Sequence, residues 1–497
     1  MRGIGIWILL SVFFCISESP LWAVESRQRT KKIIQTAPVS VKGCFSSKKS
    51  RKGPKKPNLK TIKSTIKAMP PLDDAPFTAE VALLPVLKEA KGMLAKETVT
   101  YFPAQNGSPA RRELKLALAD FRTGKIRIVS GYEENKELFL NDAAVFHSVD
   151  WWNGFNSAID ILKPDYTAVV GVLYAVDPMR KGALQRNAIL YTPYSDALLQ
   201  PELVEAGSAY LRERIREARK ELRHVSSRAA NERSLERAPC FTDEDYLNLI
   251  LAEHMDPGAF RFITDEGASD NQETEKAIGR LVKRILVIIG ANQGDAYRFT
   301  GNYASARGLT QFTPIGMRVV WSGYSSADIP RDFFEATADH LLAIKAEICL
   351  LDHYVAEMLR SYPRLSGSGV EKYSAGACYN GGPKRVVYGL KNFGVEWLHP
   401  QARLSLLSEA GSLSPREIGE LNWLERNRTH ETFIYLNKIH AIERLQAKQR
   451  ENPNPFGAPH REGEAIVKPD DAAWARAGGQ GEPEHHYSFH QIANTSR

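Results

Sequence analysis

The apolar residues of this chain change their spacing near its middle, and that change limits the folds open to it. Between residues 76 and 205, β-branched and aromatic runs at 98–102, 125–129 and 167–174 alternate with helical stretches. From Phe241 to about Leu445 the apolar residues recur at helical spacing instead. Ile278, Leu281, Val282, Ile285, Ile288 and Ile289 form one stripe with Arg280, Lys283 and Arg284 opposite, and Tyr246, Leu249, Ile250 and Glu253 form another. Thr242 followed by Asp245 predicts a capped start for the first of these helices, and further helices are expected over 331–361, 378–390 and 431–446. The expected fold class is α+β: an N-terminal mixed α/β domain (76–205) followed by a mainly α-helical one (239–446).

The segments around these domains differ in composition. Residues 1–26 predict a signal peptide, with Arg2 ahead of an apolar run from Ile4 to Ile16 and small residues leading to cleavage after Ala23. The expected location is therefore the periplasm or cell envelope. Residues 27–75 read as a basic disordered linker, since 27–72 carries fourteen Lys or Arg and no acid, more than the whole net charge of +8. In an exported chain such an arm reads first as a solvated tether that could also contact anionic envelope components, and no nucleic acid is expected as a partner. Residues 206–238, rich in Arg, Glu and Ala, predict a solvated helical connector, and 447–497 a disordered tail. The tail's His485, His486 and His490 lack the further ligands a metal site needs, so no metal is expected. Four cysteines remain after the signal, of which Cys349 and Cys378 are the first pair to consider for a disulfide. Trp151 and Trp152 offer faces that could stack on a sugar, although burial is the commoner fate of such a doublet.

Three short motifs lie in the helical half: Ala306-Arg307-Gly308-Leu309-Thr310-Gln311-Phe312-Thr313-Pro314, Ala377-Cys378-Tyr379-Asn380-Gly381-Gly382-Pro383, and Glu431-Thr432-Phe433-Ile434-Tyr435-Leu436-Asn437-Lys438. In this order they resemble the Gly-Leu-Met-Gln, Ala-Tyr-Asn-Ala-Gly-Pro and Glu-Thr-x-x-Tyr-x-x-Lys signatures of the soluble lytic transglycosylase family, with Thr310 in place of the family's Met. The resemblance implies a lysozyme-like domain that binds peptidoglycan glycan strands. It also implies cleavage between N-acetylmuramic acid and N-acetylglucosamine with a 1,6-anhydro product and no cofactor. Such a reaction needs one carboxylic acid whose pKa an apolar setting raises.

Two positions compete for that acid. Counting back about fifteen residues from Gly308, as the family spacing implies, lands on Gln293, whose amide is neither acid nor base. Upstream, Glu253 precedes Asp256-Pro257, as the family's Glu precedes Asn/Asp-Pro, and sits at the edge of an apolar face. If Glu253 is the acid, the chain carries an insertion of roughly forty residues before Gly308. If Gln293 holds the position, the domain is a catalytically silent peptidoglycan-binding module. The resemblance further implies that Gly308 allows close approach of the chain, that Gln311, Tyr379 and Asn380 line the cleft, and that Tyr435 and Glu431 close it from the last helix.

Overall fold

The computed structural model describes residues 76–451 apart from 106–108, 151–156, 178–186, 231–232, 238–239, 267–271, 302–304 and 428–429. The expected signal and linker, Cys44, the Trp151-Trp152 doublet and the tail histidines lie outside the described residues.

The described residues form an α+β fold. Helix α1 (Leu83–Leu94) precedes eight strands: β1 (Tyr101–Phe102), β2 (Arg111–Asp120), β3 (Ile126–Glu134), β4 (Glu137–Leu140), β5 (Phe146–Asp150), β6 (Ala158–Lys163), β7 (Thr167–Ala175) and β8 (Ala188–Tyr191). One antiparallel sheet runs β4-β3-β2-β7-β8 with β1 added at the start of β2, and β5 pairs with β6 as a separate hairpin. The period-2 alternation of β2 divides the two faces. Leu114, Leu116 and Leu118 pack with Val129, Val169, Val172 and Ile159, whereas Ala117 and Ala119 share a core with Leu83, Val86, Leu87 and Leu94 of α1. Small residues on the second face let the helix sit close. A Cβ added at Gly171 would stand 2.9 Å from Leu94 Cδ1. Strand β7 is buried along its whole length, covered on both faces, which explains its unbroken apolar run.

The helical half comprises α2 (Pro201–Glu221), α3 (Asp243–His254), α4 (Pro257–Glu266), α5 (Gln272–Asn292), α6 (Pro314–Gly323), α7 (Phe333–Ala338), α8 (His340–Ser361), α9 (Glu371–Gly381), α10 (Pro383–Phe393), α11 (Pro400–Glu409), α12 (Pro415–Asn427) and α13 (Glu431–Glu451). Residues 206–238 are not a solvated spacer. Helix α2 buries Leu203, Gly207, Leu211, Ile215 and Ala218, one residue per turn, a stripe too narrow to stand out among its Arg and Glu neighbours. It lies backbone to backbone on α5: a Cβ at Gly207 would meet Leu286 O at 2.0 Å, and one at Gly290 would meet Leu203 O at 2.2 Å. The same α2 and α5 join the sheet to the helices. Glu202 accepts from the Leu83 and Leu84 amides at the start of α1, and the Asn292 side chain exchanges two 2.8 Å hydrogen bonds with the Thr192 backbone. One continuous core results, and a second cluster gathers around Trp397.

Two expected helices are each divided. The 331–361 segment breaks at Asp339, because Asp332 and Asp339 each accept from backbone amides and start separate helices, α7 and α8. The 378–390 segment breaks at Gly382, whose φ of +78° ends α9 and whose successor Pro383 opens α10. Thr242 and Asp245 form the expected reciprocal cap at the start of α3. Cys349 and Cys378 are both buried on neighbouring helices as free thiols, so the suggested disulfide is absent.

Candidate active site

Helix α3 ends with its last carbonyls short of intrahelical partners, as every helix does. Here the buried Lys438 of α13 satisfies them, its Nζ donating to Ala252 O at 3.0 Å and Met255 O at 2.5 Å. Glu253 stands between those two carbonyls in the sequence, on the last turn of α3. Its side chain is enclosed by protein yet not wholly shut off from solvent. Burial pushes its pKa up to about 7, with the nearby Glu431 adding to the rise, while the Lys438 ammonium and the Tyr435 hydroxyl oppose it. Burial also lowers the Lys438 pKa, against the pull of Glu253, Asp256 and Glu431. The Tyr435 hydroxyl faces Glu253 without a well-aligned hydrogen bond and is itself buried.

The next residue ties this helix end to the first motif. His254 Nε2 lies 2.6 Å from Leu309 O, so Nε2 carries the proton, and the ring stacks on Tyr297 at 3.6 Å. Burial holds the His254 pKa down to about 3, which keeps the imidazole neutral. The loop itself is a tight turn bridged between Arg307 and Phe312. Gly308 adopts φ +72°, and a Cβ there would meet Thr337 O at 2.1 Å; the close approach is to this chain's own backbone. Gln311 also has a left-handed φ, +49°, and its Nε2 donates to Gly308 O at 2.9 Å. That bond leaves Oε1 and one N–H of the amide for other partners.

The second motif meets the first directly. Tyr379 donates its hydroxyl to Thr310 O at 2.6 Å, and its ring packs edge-on against Phe312. The Tyr379 phenol, expected to line the cleft, is therefore committed to the loop, while Glu347 and Glu253 both bear on it electrostatically. Asn380 follows, its buried Oδ1 without a partner. Gly381 lies against α13, where a Cβ would stand 2.0 Å from Thr432 Oγ1, and Gly376 fits between Leu249, Ile439 and Tyr435. Glycines thus bring α3, α9 and α13 together. Glu253, the Gly308–Gln311 turn, Tyr379 and Tyr435 converge through these contacts.

Gln293 is placed elsewhere. It begins a 3-10 turn after α5 with φ +46°, between Asn292, which bonds to the Thr192 backbone just past β8, and Gly294 near Tyr210. No hydrogen bond or ion pair among the described residues joins it to Glu253, Gln311 or Tyr379. Glu431 is exposed at the start of α13.

Two site residues carried no role in the sequence reading. Lys438 was visible only as the last letter of the third motif. Glu347 lies on α8, fully buried, with neither carboxyl oxygen hydrogen-bonded. Its signal was an acid inside the apolar stretch Ala343, Ile344, Ala346, Ile348 and Leu351 of a long helix. Glu347 oxygens, Thr310 Oγ1, Asn380 Oδ1, Thr432 Oγ1 and Tyr435 hydroxyl are all buried and unpartnered. Native interiors satisfy almost all such groups, so each of these atoms calls for an explanation. A separate cavity of about 410 Å³ between α4, α5, α11 and α13, touching His399, His440 and Glu443, takes Asn437 from the third motif but neither Glu253 nor any residue of the first two motifs.

No protein-family model, curated protein or solved structure matches this chain. What the site can do rests on its own chemistry. A carboxylic acid half protonated near neutral pH, reachable by solvent and flanked by a buried ammonium, can give a proton and take one back.

Proposed function

We propose that the helical half is a lysozyme-like peptidoglycan lytic transglycosylase domain with Glu253 as its acid and base. The observation that carries this reading is the raised pKa of Glu253 at the meeting point of the three motif segments. Glu253 gives its proton to the glycosidic oxygen as the bond from C1 of N-acetylmuramic acid breaks, which frees the 4-hydroxyl of N-acetylglucosamine. The muramic 6-hydroxyl then closes on C1 and returns its proton to the Glu253 carboxylate, so no water is consumed. Between these transfers the Lys438 ammonium faces an ionised Glu253, and the pair is then neutral. Gln311, with its remaining amide valences, supplies hydrogen bonds to the glycan's acetamido and hydroxyl groups. The reading also places the protein in the cell envelope, where its N-terminal basic run contacts anionic polymers.

The test is digestion of purified sacculi with product analysis. Wild-type protein releases 1,6-anhydro muropeptides, Glu253→Gln releases none, and Gln293→Ala behaves as wild type. Sacculus binding without any release from the wild type would replace the enzyme with a silent wall-binding module. Release that survives Glu253→Gln would remove Glu253 from the mechanism.

A further inference from the structure

Among the described residues, Glu347 is the buried carboxyl near this site that the proposed reaction does not use. It sits midway along α8 with no accessible surface, and both oxygens lack a hydrogen-bond partner. The ionisable groups facing it come from three other helices: Glu253 and Tyr246 on α3, Tyr379 on α9 and Tyr435 on α13. None of them is a cation. A carboxyl with neither a cation nor an N–H beside it, and with a second carboxyl for a neighbour, keeps its proton. An apolar side chain would fill this position at less cost, so the O–H calls for a use.

The donors around Glu253 suggest which use. Lys438 already donates to Ala252 O and Met255 O, and Tyr379 already donates to Thr310 O. His254 directs its N–H to Leu309 O. The O–H groups left uncommitted are those of Thr310, Thr432, Tyr435 and Glu347, and of these Tyr435 and Glu347 interact electrostatically with Glu253. We propose that Glu347 is a positioning residue of the site, a carboxylic acid that remains neutral throughout and supplies its O–H to the Glu253 carboxylate once Glu253 has given up its proton. Glu347 donates a hydrogen bond and not the proton itself, so the proton count of the reaction is unchanged. The inference rests on the function proposed above for the step it serves. It also distinguishes this carboxyl from the second carboxylate of hydrolysing glycosidases, which must be ionised to act on water or sugar.

The test is titration of Glu253 in full-length protein labelled with carboxyl-¹³C glutamate, assigned by comparison with Glu253→Gln, in the wild type, Glu347→Gln and Glu347→Leu. Glutamine keeps an N–H donor and leucine removes it. With Glu347→Gln the midpoint stays within a few tenths of a unit of wild type, and with Glu347→Leu it rises by roughly half a unit or more, because a donor to the charged form is lost. The basic limb of sacculus digestion moves upward with it, kcat falls several-fold and KM does not change. A midpoint that drops in Glu347→Gln would show that Glu347 was ionised, and a midpoint that stays put in Glu347→Leu would show a packing role only; either outcome overturns the proposal. Glu347→Met replaces the leucine variant if the latter does not fold. The titration needs no turnover, so it remains decisive even where sacculi are not cleaved.

Discussion

The sheet and one part of the helical half, around Glu253 and Glu347, treat buried neutral polar groups differently. Around the sheet the buried neutral polar side chains are small and paired: Thr192 Oγ1 donates to Val170 O, Ser195 Oγ to Asp160, Gln200 Nε2 to Phe77 O, and Ser157 lies against the Tyr174 hydroxyl. Each bond stitches one element to another. In the helical half Glu347, Thr310, Asn380, Thr432 and Tyr435 carry buried polar atoms without partners, and Glu253 and Lys438 share a water-poor niche. Polarity in the first region fastens the fold, whereas in the second it costs stability and shifts proton affinities. That contrast supports the proposal that the chemistry belongs to the helices.

The comparison breaks most readily at Glu253. Glu253→Gln is expected to lower sacculus digestion by about 10³-fold, within the range for a general acid, while the thermal midpoint holds or rises because a buried ionisable group is gone. Digestion rates against melting curves check both halves of the statement. The pH dependence comes next. Since Glu253 must be protonated to act as the acid and its pKa lies near 7, kcat/KM is expected to fall about tenfold per unit once the pH passes about 7. A limb near the ordinary carboxylate range would mean that a different acid is at work.

Lys438→Met strikes the same niche through stability. It leaves two carbonyls at the end of α3 without their donor and Glu253 without its cation, and roughly 3–5 kcal/mol is expected to be lost in denaturant titrations at pH 8. At pH 5, where Glu253 is neutral, the loss is smaller. Gly207→Ala tests the seam shared by the two regions. Its methyl group would press on Leu286 O, and a cost of about 1–3 kcal/mol is expected from a shifted α2, with no specific effect on turnover beyond the loss of folded protein. Thr192→Val has the smallest expected effect, about 1–2 kcal/mol from the orphaned Val170 carbonyl, and leaves digestion unchanged. Loss of activity in that variant at a temperature where it stays folded would end the separation of roles between sheet and helices.

Much of the architecture was legible in the sequence because it depends on local periodicity. The runs at 125–129 and 167–174 fall in β3 and β7, the Thr242–Asp245 cap opens α3, and the stripe from Ile278 to Ile289 lies on α5. The helix breaks at Asp339 and Gly382 were missed, since apolar spacing continues across both and only the capping side chain or a positive φ interrupts the backbone. Helix α2 was misread as solvated, because two glycines packed against backbone carry no hydrophobic signal. The candidate site was half visible. Gly308, Gln311, Tyr379, Asn380 and Tyr435 stood out as motif residues, yet the choice between Glu253 and Gln293 depended on a count along the chain that an inserted helix makes ambiguous.

The sequence by itself determined the α+β character, the helix that carries Glu253 and the identity of the motif residues, because these follow from spacing and residue type within a few turns. Only the tertiary structure decided which carboxyl meets the motifs, that Lys438 caps the helix beneath it, and that Glu347 is sealed in with no partner. The reason is physical: a pKa and a hydrogen-bond vacancy are set by the atoms that surround a group, and here those atoms come from α3, α8, α9 and α13, up to nearly two hundred residues apart.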